Sequence, residues 1–172
     1  KTLMRRLLNG LYSAIAWLAG ISMVGVLLLV LTTILSRFFG FLAPGTDAYA
    51  GYAMAGAGFM ALASTLKHGE HIRVTLVLGM LHGPARKALE VAALAIATLL
   101  AGFLAFYSAH LVWQSWEIED ISVGIDATPL WIPQLFMALG TLVFFIAFCD
   151  ELVLELRGQR QPRDSQEEPH HE

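Results

Sequence analysis

Apolar and charged residues alternate along this chain in long blocks, which divide it into four apolar segments joined by short polar ones. Four runs contain no Asp, Glu, Lys or Arg: Leu7–Ser36 with 30 residues, Ala48–Leu66 with 19, Val91–Trp116 with 26 and Ala127–Cys149 with 23. About 18 to 20 such residues are enough to cross a bilayer as a helix. The pattern therefore predicts an all-α integral membrane protein and excludes a soluble enzyme.

Turn-forming residues between these runs set the ends of four predicted transmembrane helices. We place the helices at Asn9–Phe38, Asp47–Leu66, Pro84–Trp113 and Leu130–Leu152. The first charge-free run extends over about 45 Å as a helix, so helix 1 must tilt or project beyond hydrocarbon that is about 30 Å thick. Residues 1–156 form the predicted membrane domain, and residues 157–172, which are almost all polar, form a predicted disordered tail.

The segment between helices 2 and 3 has a different pattern. His71, Thr75, Gly79 and His82 recur every three or four residues, with apolar residues on the opposite arc. This period is typical of an amphipathic helix, and about a dozen residues are too few to span a bilayer. We predict a short helix in the membrane interface, with Arg73 extending to lipid phosphates. The alternative is an apolar loop folded against the bundle.

Composition and charge add an orientation to this picture. The chain of 172 residues is 56% hydrophobic and 15% charged, with a net charge of −3. Of its 11 Lys and Arg residues, only Arg37 lies outside the two termini and the loop between helices 2 and 3. Basic residues concentrate on the cytoplasmic side of membrane proteins. We therefore expect both termini to be cytoplasmic.

Few residues in the chain are suited to chemistry inside a membrane. The central parts of the four predicted helices carry no ionisable residue, although pumps and complete transporters place such groups there. His110 lies near the outer interface and has no partner histidine at its depth for a haem. The pair His68 and His71 lacks the spacing of a helical zinc motif, and Cys149 is the only cysteine. We expect no catalytic residue, metal or cofactor in this chain.

Helix 2 carries two strips of small residues at helical spacing. The first strip is Ala50, Ala53, Ala57 and Ala61, and the second is Gly51, Ala55 and Gly58. Small residues let two helix backbones approach closely in lipid. Each strip is suited either to packing within this chain or to an interface with another subunit, and the sequence favours neither.

The outer loop between helices 3 and 4 combines acidic and aromatic residues. Trp113, Trp116 and Trp131 cluster where helices 3 and 4 meet the outer headgroups. Four carboxylates accompany them: Glu117, Glu119, Asp120 and Asp126. Such a run, which also contains Trp116 and Ile125, is either a solvated surface or a docking patch for a soluble partner. In a docking patch the aromatic residues would anchor the partner and the carboxylates would steer it.

Two stretches of the sequence resemble a known family. Gly69-Glu-His-Ile-Arg-Val-Thr-Leu76 is similar to a G-x-H-I-R-V-D-L pattern, and Asp126-Ala-Thr-Pro-Leu-Trp-Ile-Pro-Gln134, leading to Gly140, is similar to a P-x-W-x-P pattern. Both belong to the DctQ-like small membrane subunit of tripartite ATP-independent periplasmic (TRAP) transporters. Thr75 stands where the family commonly has Asp, so no ionic contact is carried over to that position.

The resemblance implies a supporting role in transport. A large membrane subunit would carry the organic-acid substrate and the sodium ions, and a periplasmic binding protein would deliver the substrate. The small subunit would enlarge the scaffold of the large one in the lipid bilayer of the bacterial inner membrane, and no nucleic acid would take part. Two alternatives stay open at this point: the membrane anchor of a redox complex, and a small self-sufficient oligomeric transporter.

Overall fold

The computed structural model describes residues 2–68 and 84–157, and its regular structure within these ranges is helical. The four helices are α1 (Thr2–Phe39), α2 (Thr46–His68), α3 (Pro84–Glu117) and α4 (Trp131–Leu156). An isolated bridge between Ile121 and Pro129 is the one extended pairing in the described part of the chain. All four predicted segments are helical, and α1 begins seven residues earlier than predicted.

The turn between α1 and α2 depends on two glycines. Helix α1 ends at Phe39, and Gly40 follows with a φ of 72°. Gly45 directly precedes α2 with a φ of 81°. This left-handed conformation is accessible to glycine without the Cβ clash that other residues meet, and it commonly ends a helix. The chain therefore reverses direction within six residues.

The helices pack in the spatial order α1, α2, α4, α3, with α2 and α4 at the centre. Their shared core combines Tyr12, Ile15 and Ala19 of α1 with residues of the central pair: Met60, Ala63, Val143 and Ala147. In the most apolar 18-residue stretch of α1, and likewise of α3, only about a tenth is buried. The corresponding share in α4 is 28%. The outer helices thus present most of their apolar surface outward, as expected of helices that face lipid.

The two central helices touch through their backbones at Gly140. A Cβ atom added there would lie 2.5 Å from the Phe59 carbonyl carbon and 2.8 Å from the Met60 nitrogen. On the facing helix, a Cβ at Gly56 would lie 3.3 Å from Phe136 Cβ. Small residues permit such close approach, and the gain is dispersion energy along the whole contact. Gly140 therefore determines how tightly the centre of the bundle packs.

Three of the described helices are long and apolar enough to cross a membrane, namely α1, α3 and α4. Helix α2 does not reach the same hydropathy because alanine, glycine and hydroxyl residues replace leucine and isoleucine along it. The predicted interfacial helix, with His71, Arg73 and Thr75, lies outside the described residues. The predicted tail beyond Arg157 also lies outside the described residues. Arg157 itself is the C-terminal cap of α4.

Candidate interaction surfaces

The fold places the two small-residue strips of α2 in different surroundings. In the first strip Ala50 and Ala57 are buried, and Ala53 and Ala61 are half-buried. In the second strip Gly51, Ala55 and Gly58 are all exposed. Among the described residues, a Cβ added at Gly51 or at Gly58 would meet no neighbouring atom within 4 Å. The first strip thus packs within the chain, while the second forms an open face beside the exposed side chain of Met54.

The outer loop is tied to the start of α2 by a hydrogen-bonded cluster. The Tyr52 hydroxyl lies 2.9 Å from Ser122 Oγ and 3.1 Å from Asp126 Oδ2, so these two acceptors share its proton. The Ser122 hydroxyl donates to Asp126 Oδ1 at 3.0 Å. Hydrogen bonds from Thr128 and then from Ser122 and Tyr52 hold the pKa of the Asp126 carboxyl below its usual range, because they favour its charged form.

Backbone hydrogen bonds give the same loop a defined shape. The Ser122 N–H donates to the Thr128 carbonyl at 2.9 Å, and the Leu130 N–H donates to the Asp120 carbonyl at 3.0 Å. Glu119 and Ala127 have φ values of 51° and 45°, a conformation that non-glycine residues seldom adopt outside tight turns. The loop is therefore a small hairpin fixed at both ends and not a free connection.

In an exposed loop, polar side chains usually face solvent and apolar ones are covered, but the side chains of this hairpin have the opposite orientation. The polar residues Ser122 and Asp126 turn towards Tyr52 and are half-buried. Between them Val123 and Ile125 are almost fully exposed, at 108% and 86% of their reference areas. Apolar side chains that are contiguous and exposed commonly mark a surface that contacts another molecule.

A cleft of about 730 Å³ opens beside the hairpin, between the end of α3 and the start of α4. Tryptophan and glutamate side chains dominate its lining, which consists of Trp113, Trp116, Glu117, Glu119, Ile121, Ala127, Pro129 and Trp131. The rings of Trp113 and Trp116 meet edge to face with centroids 5.6 Å apart. We call this site the indole cleft.

The structure separates the residues that the sequence grouped as one acidic patch. Trp116, Glu117 and Glu119 line the indole cleft. Asp126 is instead part of the cluster that holds the hairpin, and the backbone of Asp120 closes the hairpin through Leu130. Tyr52 was missed at the sequence level because its partner Ser122 is 70 positions away. Local periodicity carries no signal for such a contact.

Two further features lie along α1 and on the last turns of α4. A groove of about 960 Å³ runs along α1 beside Ser64, and Tyr12, Ser13 and Gly20 are among the residues that line it. Glu151 and Glu155 are buried on α4, each 7% exposed. They continue the buried line of Val143 and Ala147 at helical spacing. That spacing was a signal the sequence-level prediction did not use.

The described residues also bear on metal binding. They contain no cluster of three or more His, Cys, Asp or Glu side chains that would hold a metal ion. His110 is exposed on α3 and stacks on Phe106 with centroids 6.3 Å apart. His68 and His71 fall outside the part of the chain with described side chains.

Together, the long apolar helices and their glycine-mediated contact define a helical membrane protein. Its distinguishing surfaces are an open strip on α2 and a structured outer loop. The chain belongs to the DctQ component family of the tripartite ATP-independent periplasmic transporters, which matches residues 26–158. This match confirms the resemblance seen in the sequence and identifies the protein as a component of a transporter. No curated protein is similar enough to the chain to count as a match.

Proposed function

We propose that this chain is the static small membrane subunit of a TRAP transporter for organic acids. On this proposal the substrate and the sodium ions bind to the large subunit, and this chain enlarges the scaffold against which the large subunit moves. The family assignment supports a place in the tripartite system. The charge-free centres of the helices fit a supporting role, because pumps and complete transporters place ionisable groups there.

We further propose that α2 is a fourth span and that both termini are cytoplasmic. The start of α2 and the α3–α4 hairpin lie at the same end of the bundle, where Tyr52 meets Ser122. Helix α2 runs from that end along α1 and α4, and its 23 residues extend over about 34 Å. If its neighbours cross the bilayer, α2 crosses with them. The bias of basic residues supports the orientation.

The exposed strip of α2 is the surface we propose for the large subunit. It offers Gly51, Ala55 and Gly58 to an approaching helix, and no side chain of the described residues lies above either glycine. A partner backbone would gain close dispersion contacts along this strip. The observation that carries the proposal is this contrast between an open strip and a neighbouring strip that is already packed.

Replacing one residue from each strip with leucine tests the interface. Gly58→Leu should reduce co-purification with the large subunit several-fold while the chain itself stays folded, because the added side chain fills only the open strip. Ala57→Leu is the matched control: Ala57 is 2% exposed, so overpacking should lower the thermal stability of the chain itself. Normal co-purification of the Gly58→Leu variant would refute this interface.

We also propose that the outer loop docks the periplasmic binding protein. Glu117 and Glu119 are exposed there, and the same loop exposes the apolar residues Val123 and Ile125. Such charges steer a partner of opposite charge, and apolar residues supply contact area.

Changing Glu117, Glu119 and Asp120 together to lysine should reduce substrate uptake and leave membrane assembly intact. Asp47→Lys is the control, because it alters charge at the same end of the bundle but outside the loop. Normal uptake by the triple variant would contradict docking through this loop.

A further inference from the structure

The indole cleft combines features that select a cation. Three tryptophan rings contribute to its walls, from the last turns of α3 and the first turn of α4. Glu117 and Glu119 lie on the same lining. Tryptophan faces attract cations through the ring quadrupole, and nearby carboxylates add a direct ionic contact. An anionic or neutral occupant would gain from neither.

The described part of the chain supplies no counter-charge for this cleft. Helix α3 ends here with no basic residue in its last turn, so the negative end of its dipole adds to the two carboxylates. Arg37 is a basic residue at this end of the bundle, but its Nη2 lies 4.0 Å from Asp47 Oδ2, and Arg37 does not line the cleft. Glu117 and Glu119 form no ion pair with a described residue. No described residue places a cation in the cleft, which leaves it open to a cation from another molecule.

We propose that the indole cleft binds the guanidinium group of an arginine side chain presented by the periplasmic binding protein. This inference rests on the proposed docking function and names its central contact. A guanidinium is planar, stacks on indole rings and pairs with carboxylates through two hydrogen bonds. A phospholipid fits the electrostatics less well, because its phosphate would bring negative charge next to Glu117 and Glu119.

The surroundings of the cleft suit a protein partner for a second reason. Ile121 belongs to the cleft lining, and Val123 and Ile125 extend the apolar surface along the exposed side of the hairpin. The cluster of Tyr52, Ser122 and Asp126 holds this surface in place. A central charged contact with an apolar surround that excludes water is the usual arrangement of an energetic hot spot.

The test measures binding of the purified binding protein to the complex of both membrane subunits in lipid nanodiscs. The double variant Glu117→Gln, Glu119→Gln and the single variant Trp116→Leu should each weaken binding by about tenfold or more. Asp47→Asn is the matched control and should leave binding unchanged. N-acetyl-arginine amide should compete with the binding protein, whereas the neutral isostere N-acetyl-citrulline amide should not.

The outcomes separate this inference from the function on which it rests. Wild-type binding that survives in both cleft variants, or equal competition by the arginine and citrulline probes, overturns the inference and leaves docking intact. A wild-type complex that does not bind the binding protein overturns docking itself. Retention of phosphatidylethanolamine by the wild type, lost in the glutamine variant, identifies a lipid as the occupant and also overturns the inference.

Discussion

Gly140→Ala is the most direct probe of how the centre of the bundle packs. The added methyl group would lie 2.5 Å from the Phe59 carbonyl carbon and 2.6 Å from its oxygen, whereas ordinary contact begins near 3.4 Å. The obstacle is backbone, so it cannot rotate aside as a flexible side chain can. Helices α2 and α4 must separate by about 1 Å, or α4 must bend, to admit the methyl group.

The expected cost follows from the core that this separation opens. Met60 and Val143 are 1% and 4% exposed at the junction of the two helices. A gap of 0.5–1 Å forfeits roughly a quarter to a half of each dispersion contact across it. Overpacking of this kind costs about 1–3 kcal/mol, which exceeds the ~1 kcal/mol by which alanine favours a helix over glycine. We therefore expect a net loss of stability.

The assay compares the thermal unfolding midpoints of detergent-purified variants, followed by tryptophan fluorescence. Gly58→Ala is the matched control, because its new methyl group would meet no atom within 4 Å. We expect Gly140→Ala to unfold several degrees below the wild type and Gly58→Ala to unfold at or slightly above it. Equal midpoints for the two variants would refute the backbone contact between α2 and α4.

Two further predictions concern the hairpin. Tyr52→Phe removes the hydroxyl group that hydrogen-bonds to Ser122 and Asp126, so it should weaken the hairpin by about 1 kcal/mol. Amide hydrogen exchange in the hairpin should then be faster, and unchanged exchange would contradict an anchoring role of Tyr52. Folding lowers the pKa of Asp126 below its ordinary value of 3.8, so the charged carboxylate stabilises the folded state above pH 3.8. This stabilisation is lost as the pH falls through the lowered pKa of the folded state. Asp126→Asn should abolish this acid-dependent loosening, measured as the pH dependence of hairpin amide exchange corrected for the intrinsic rate.

The helices were predictable because their signals are local. A run such as Leu7–Ser36 determines a helix through its own apolar side chains, and Gly40 and Gly45 end or begin helices through their own backbone freedom. The early start of α1 was missed because its first turns carry Arg5 and Arg6, which a charge-based boundary excludes. Helical backbone continues past the apolar run wherever the residues still favour it.

The candidate surfaces were predictable only in part. Both strips of α2 were visible in the sequence, since spacing alone determines which residues share a helix face. The acidic loop was also visible, but its residues divide between the indole cleft and the Tyr52 cluster. Spacing along a loop does not determine the direction of its side chains, which depends on contacts made by the whole fold.

The sequence by itself determined four helices, a membrane environment and a bias in charge between the two sides, because hydrophobicity and turn chemistry act over a few residues. Only the tertiary structure decided which strip of α2 is covered and which is open. It also brought Tyr52 to Ser122 and turned Val123 and Ile125 outward. These outcomes depend on contacts between residues far apart in the chain, such as the one that Gly140 makes with Phe59, about 80 positions away.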